Sequence, residues 1–331
     1  MKPEYDKIAE IINGSNKIVI IQADNPDADS LGSALALEQI LHSMGKDPLL
    51  YCSLEMPTYL RYLSGWDRVS NALPTNFEAS IIVDASSLSL LEKLFSNGGQ
   101  QPLMTKPSIV LDHHGSVSDP IGFATVVLND PTSSSTGELI YYLAKSLNWE
   151  MPINAQEFLM TAILGDTQGL SNSLTGSNTY RVLADMTVAG VDRPSLEEKR
   201  RLATKMPEVI FRYKAELIRR TEFYLDDRLA IVIIPQSEIN EYSPLYNPAP
   251  LIQGDLLQTE GVGITIVLKF YDDEHITAAI RGNPGNDICD KLAQHFGGGG
   301  HKLASGFKIQ GGRTIVDVKT DCIDTTKQLL G

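Results

Sequence analysis

Several short apolar runs in this chain end on a carboxylate. IVIIQADNPDAD closes on Asp27 and Asp29, ASIIVDA on Asp84, SIVLDHH on Asp112, and the run LMTAILGDT on Asp166. A buried strand that ends in an acid places that acid at one edge of a sheet, where open α/β folds bind ligands. Strands lying side by side bring such end residues together. Carboxylates gathered at one spot repel one another unless a cation neutralises them. The pattern predicts a divalent metal site built from strand ends.

The intervening text supports that architecture. Strand-like runs over 17–22, 48–53, 80–84 and 108–112 alternate with helical patterns. Residues 30–44 carry Leu31, Ala34, Leu35, Leu37 and Leu41 on a helical repeat. A second helix starts near 134–136, after Pro131 and a string of hydroxyl residues, and a third runs from 154 to 164 with Asn154 as its expected cap. Strand–helix alternation of this kind implies an α/β domain, a mostly parallel sheet flanked by helices. Residues 194–222 are polar, charged and helical, and read as a connector or as a surface helix of the first domain. Beyond them the text changes. Strand candidates at 229–234, 262–270 and 275–281, a helix near 286–296 and the run GGGGHKLASGF predict a smaller α+β C-terminal domain with antiparallel strands. The expected division is 1–193, 194–222 and 223–331.

Composition narrows the function. Apolar residues at 42% and charged ones at 21% are a soluble globular balance. The first residues lack the basic and apolar segments of a signal peptide, and no apolar stretch is long enough to span a bilayer. Cys52, Cys289 and Cys322 are odd in number and widely spaced, which favours reduced buried thiols in a cytoplasmic protein. A net charge of −13 disfavours a surface for long duplex nucleic acid or for a membrane. Short phosphorylated ligands remain open, because a bound cation reverses the field at one pocket. Oligomeric state is not legible here, and a homodimer is compatible with these features.

Individually the acids say little. Asp27 and Asp29, two apart in NPDADSLGS, are also what a helix cap or a solvated turn looks like. Asp84 and Asp166 each fit an ordinary turn. The run Asp112-His113-His114-Gly115 after a buried strand is more unusual, and an imidazole among carboxylates suits Mn2+ better than Mg2+ or Zn2+. Gly297 to Gly300, followed by His301 and Lys302, reads either as a flexible hairpin or as a backbone nest for an anion. Arg281, at a strand end, adds a cationic donor.

Together PDADSLGS, SIIVDAS, LDHHGS, LGDTQG and FGGGGHKLASGF resemble the ordered motifs of the DHH phosphoesterase family with its DHH-associated C-terminal domain. The likeness extends from about residue 15 to 310 and is greatest to the nanoRNase and 3′-phosphoadenosine-5′-phosphate phosphatase branch. It implies a two-manganese hydrolase with a metal-activated water, acting on short RNA, on linear or cyclic dinucleotides or on phosphoadenosine phosphate. Carried over, Asp27 binds the first metal, Asp29, His113 and Asp166 the second, and Asp84 bridges both. His114 touches the scissile phosphate or leaving group, and Asp112 orients the histidines. Arg281, His301 and the amides of Gly298, Gly299 and Gly300 hold the other phosphate or nucleotide. The loop 169–177 is either a base contact or an ordinary loop. One position departs from the family: the histidine expected four residues before Asp27 is Ala23, which cannot bind metal. Gln22, Asp24 and Asn25 are the nearby replacements, although strand alternation turns residues 22 and 24 away from residue 23. A nucleotide-binding protein without hydrolytic activity is the alternative.

Overall fold

The computed structural model describes residues 3–115, 119–243 and 246–331. Ser116, the last residue of LDHHGS, lies outside them. The chain divides into two compact units, residues 1–205 and 206–331.

The first unit contains five strands: β1 (Lys17–Ile21), β2 (Asp47–Tyr51), β3 (Ala79–Val83), β4 (Ser108–Asp112) and β5 (Val126–Asn129). All pair in parallel, in the order β2-β1-β3-β4-β5. Parallel strands need crossovers, and helices supply most of them. The α-helices of this unit are α1 (Pro3–Asn13), α2 (Ala28–Ser43), α3 (Glu92–Ser96), α4 (Gln100–Met104), α5 (Thr136–Ser146), α6 (Ile153–Asp166), α7 (Ser177–Val188) and α8 (Arg193–Ala203), of which α2, α3 and α4 lie between strands of the sheet. Period-two alternation sorts β1 between two cores: Ile18 and Ile20 join the layer of α1, α2, α5 and α6, while Val19 and Ile21 join the layer of α3 and α4. In this strand order the chain reverses direction between β1 and β3. Loops leaving the two strands diverge there and open a crevice at their carboxyl ends. Asp27 follows β1 and Asp84 follows β3.

Two expectations change. Asn154 is not the cap of α6, which follows Pro152. Its side chain instead accepts from the Ala155 amide and donates to Gln39 at 2.7 Å. β5 had no sequence signal, because four residues at a sheet edge are too short for a period to register.

Small residues let α2, α5 and α6 approach closely. A Cβ on Gly32 would lie 2.8 Å from the carbonyl oxygen of Phe158, one on Gly137 2.6 Å from the Ala162 methyl, and one on Gly165 2.7 Å from the Ala28 methyl. The Phe158 carbonyl is helix backbone and cannot yield. Gly32→Ala is therefore expected to cost about 1–3 kcal/mol of stability, as overpacking does, read as a lower urea midpoint at constant slope. An unchanged midpoint would mean that the helices are not held at this separation.

The second unit comprises α9 (Glu208–Arg219), β6 (Glu222–Tyr224), β7 (Leu229–Pro235), α10 (Gln236–Tyr242), α11 (Pro248–Leu257), β8 (Ile264–Phe270), β9 (Ile276–Gly282), α12 (Cys289–His295), β10 (Gly299–His301), β11 (Ala304–Ile309) and α13 (Ile315–Leu330). Its strands form a six-stranded sheet in the order β10-β11-β9-β8-β7-β6. The sheet is mixed rather than antiparallel, since β7 and β8 pair in parallel. The described helices α10 and α11 occupy the connection between those strands, which gives the chain length for a crossover. α13 carries little sequence signal because its core-facing residues, Val318, Cys322, Thr325 and Thr326, are mostly small or polar. The polar stretch 194–222 contributes α8 to the first unit and α9 to the second.

Candidate metal centre

Asp29 lies in the first turn of α2 and is fully buried. Its Oδ2 accepts from the Thr136 amide at 2.7 Å, and its Oδ1 from the Gly137 amide at 3.0 Å and the Ser33 hydroxyl at 3.1 Å. Ser135 caps α5, so these two amides are unpaired donors of the first helical turn, aimed at an anion. The clamp needs Thr136, which the sequence marked only as a helix start. Even so, burial drives the Asp29 carboxyl up to about 7, with the Asp166 charge adding to the rise and His113 and the Thr136 amide opposing it.

Asp84 sits just past β3 in the left-handed region, with φ of 56°. Asp and Asn enter this region more readily than other L residues. The Thr136 hydroxyl reaches its Oδ1 at 3.3 Å. Burial raises its pKa well above the ordinary carboxylate range, and the charges of Asp29, Asp27, Asp166 and Asp112 raise it further.

His113 faces both acids and the end of α6. Its Nε2 lies 2.8 Å from Asp166 Oδ2, 3.7 Å from Asp29 Oδ2 and 3.8 Å from Asp84 Oδ1. That nitrogen is buried without a hydrogen bond among the described residues, and its approach to Asp166 is an ion pair. An imidazole nitrogen and carboxylate oxygens that converge without bonding one another are arranged as ligands of a shared ion. Asp29, His113 and Asp166 place one ligand atom each within 4.8 Å of one another, as do Asp84, His113 and His114.

Asp112 has a different task. Its Oδ1 accepts from the His113 amide at 2.8 Å and lies 2.8 Å from His114 Nδ1, while the Ser86 hydroxyl donates to Oδ2. Burial alone would raise its pKa, but the bonds from His114 and Ser86 outweigh that and lower it. The partially exposed His114 ring is thereby anchored through Nδ1, leaving Nε2 for a ligand. The bond to Asp112 also raises the His114 pKa. Ser86 closes the SIIVDAS motif, but nothing in that motif marked it as a partner of Asp112.

Asp27 is the N-cap of α2, accepting at Oδ1 from the amides of Asp29 and Ser30, both at 3.0 Å, while Ser30 Oγ accepts from the Asp27 amide at 2.9 Å. It falls outside both ligand groups. Ala23 is buried in the apolar layer of α3 and α4. Of the three replacements, Asp24 is tied down by the Ser53 hydroxyl and the Lys93 amide, and Asn25 is exposed. Gln22 is 1% exposed, and neither of its side-chain amide atoms has a partner among the described residues.

In the second unit His301, Ala304 and Arg281 stand opposite one another across β10, β11 and β9, which puts His301 and Arg281 on one face of the sheet. The glycine run is only partly free. The Gly298 amide donates to the Ala293 carbonyl at 2.8 Å, closing α12, so it is not available to an anion as expected. A Cβ on Gly298 would meet the Gly306 carbonyl at 2.2 Å, and one on Gly300 the Ala304 carbonyl at 2.6 Å. Those two glycines permit close strand pairing. Gly299 is open.

Residues 17–165 match the DHH family, N-terminal domain. The first unit therefore carries a DHH-family N-terminal domain. DHH phosphoesterases are metal-dependent, and Asp27, Asp29, Asp84, Asp112 and His113 lie inside the matched stretch, with Asp166 one residue beyond it. A Mycoplasma pneumoniae protein described as a homolog of MG371 is 25% identical over 92% of this chain and 91% of its own length. The bifunctional oligoribonuclease and PAP phosphatase NrnA of Thermus thermophilus is 24% identical over 92% of this chain and 88% of its own. An exopolyphosphatase-related protein from Bacteroides fragilis superposes with a TM-score of 0.84 at 20% identity, covering 100% of this chain and 98% of that one, and so shares the fold. No described helix is long and apolar enough to cross a membrane.

Proposed function

We propose that this DHH-family hydrolase cleaves phosphoester bonds in short oligoribonucleotides, dinucleotides or phosphoadenosine phosphate, using divalent manganese. The carrying observation is His113 Nε2, buried without a hydrogen bond among the described residues while three carboxylates lie within 4 Å of it. The donor set suits a cation: Asp29, His113, Asp166 and Asp84 would hold it, and imidazole mixed with carboxylate favours Mn2+. When bound there, a divalent cation neutralises the acids, polarises a phosphoryl oxygen and acidifies water. Asp112 holds the His114 ring by Nδ1 so that Nε2 can carry a proton toward the leaving oxygen. The Thr136 and Gly137 amides orient Asp29, and the Thr136 amide opposes the rise in its pKa that burial causes. In the second unit, Arg281 and His301, beside the uncrowded Gly299, are assigned to the substrate's other phosphate. The Thermus relative's name supports the substrate class.

Cleavage of diadenylate, a five-residue RNA or phosphoadenosine phosphate by the purified protein with Mn2+ tests this reading. Binding of these ligands with no product from any of them would overturn it. That result would favour a binding protein, the reading to which Ala23 lends support. A first metal position left with Asp27 and Asp84 is short of ligands, and we assign one tightly held ion per chain. Ala23→His is accordingly expected to raise bound manganese from about one to about two equivalents, counted by elemental analysis after gel filtration. Two equivalents already present in the native protein would show that another group fills the position.

A further inference from the structure

Beside the metal centre the first unit carries a cavity of about 640 Å³ that its proposed chemistry does not use. The walls come from the start of α2 at Ala28, the end of α6 at Gly165 and Gln168, α8, and the segment bearing Tyr59 and Tyr62. Ala28 lies between Asp27 and Asp29, and Gly165 precedes Asp166. The Tyr59 hydroxyl donates to the carbonyl of Pro26 at 3.2 Å, which ties this wall to the loop that carries Asp27. Its ring is 52% exposed. Arg193 lines the cavity and forms no ion pair among the described residues, whereas Arg200 is held by Glu197 at 2.6 Å. An exposed tyrosine ring and an arginine lining one cavity suit a flat ligand that offers a π-face to both, as a nucleobase does.

We propose that this cavity receives the second nucleoside of a linear oligonucleotide, with its base against the Tyr59 ring and the Arg193 guanidinium. The assignment rests on the phosphoesterase reading above and deepens it, because it selects chains of two or more nucleotides over phosphoadenosine phosphate, which has no second nucleoside. A volume of this size holds a nucleotide comfortably. Stacking of a base on an aromatic side chain is worth about 1–3 kcal/mol, roughly a five- to hundredfold change in affinity. The hydroxyl of Tyr59 already has a protein partner, so the ring rather than the oxygen is offered to the ligand.

Dissociation constants for diadenylate and phosphoadenosine phosphate, measured by calorimetry on the full chain with Ca2+ in place of Mn2+ to suppress turnover, test the assignment. Tyr59→Ala and Arg193→Ala are each expected to weaken diadenylate about tenfold and phosphoadenosine phosphate less than about twofold, while Tyr59→Phe keeps near-native affinity for both. Equal weakening of the two ligands, no weakening of diadenylate, or failure of the native protein to bind diadenylate would each overturn it. Native binding without cleavage in Mn2+ would instead remove the hydrolytic reading and leave the subsite to be judged on the binding ratios alone.

Discussion

Without divalent metal, the protein is expected to melt at a higher temperature near pH 5 than near pH 8, and Mn2+ is expected to reverse that order. The sign follows from the buried acids. Asp29 is raised from 3.8 to about 7, and Asp84 is raised as well, chiefly by burial and then by neighbouring carboxylates. A carboxyl whose pKa is higher in the folded state binds its proton more tightly there. Its contribution is fully present below the unfolded value and disappears as pH climbs through the folded one. The window is therefore about pH 4 to 7 for Asp29. Every tenfold gain in proton affinity on folding corresponds to about 1.4 kcal/mol, so a few kcal/mol are at stake. For a unit of this size that is on the order of 5–10 °C in the melting midpoint. A cation removes the need for the proton, and stabilises most where the acids are ionised. Melting in EDTA and in Mn2+ across pH 5 to 8 gives the answer. A metal-free midpoint that rises with pH, or one that Mn2+ leaves unmoved, would contradict the crowded site.

Asp84→Asn should separate stability from function more sharply still. Asparagine keeps nearly the shape of aspartate and tolerates the left-handed backbone found at φ of 56°. Alanine would add strain there. The substitution removes one charge from a cluster in which Asp29, Asp27, Asp166 and Asp112 all oppose its ionisation. In EDTA at pH 8 the variant should melt above the native protein. Manganese affinity should fall by more than about a hundredfold, the upper loss seen when only an outer partner of a metal ligand is removed, and hydrolysis should fall with it. Such opposite movements are the signature of strain held at a working site. A variant that loses stability in EDTA, or one that retains manganese, would show that Asp84 is a structural residue and not a ligand.

What could be read without coordinates was local. Apolar runs ending in acids, the helical repeat over 30–44 and the hydroxyl-rich start of α5 are contained within a dozen neighbouring residues each, and each reappears as an element whose limits shift by only a residue or two. The family motifs also belong to this class, since they are short and ordered. Elements with weak local patterns were lost: β5 for its length, α13 for its small and polar inner face, and the parallel pairing of β7 with β8 because two strands look the same in either direction.

Amino-acid order alone settled that Asp84 and Asp112 stand at the ends of buried strands and that position 23 carries an alanine, whose methyl cannot bind metal; Asp29 and Asp166, expected at strand ends as well, belong to helices. Which acids meet was decided only in three dimensions. The order β2-β1-β3-β4-β5 opens the crevice between β1 and β3, and the glycine-mediated approach of α2, α5 and α6 carries Asp29 and Asp166 to His113. The same packing sends Asp27 to cap a helix, lends Asp29 two amides from α5, and commits the Gly298 amide to its own helix end. Distances between side chains remote in the chain depend on how strands and helices stack, and a pattern with a period of two or 3.6 residues carries no record of that.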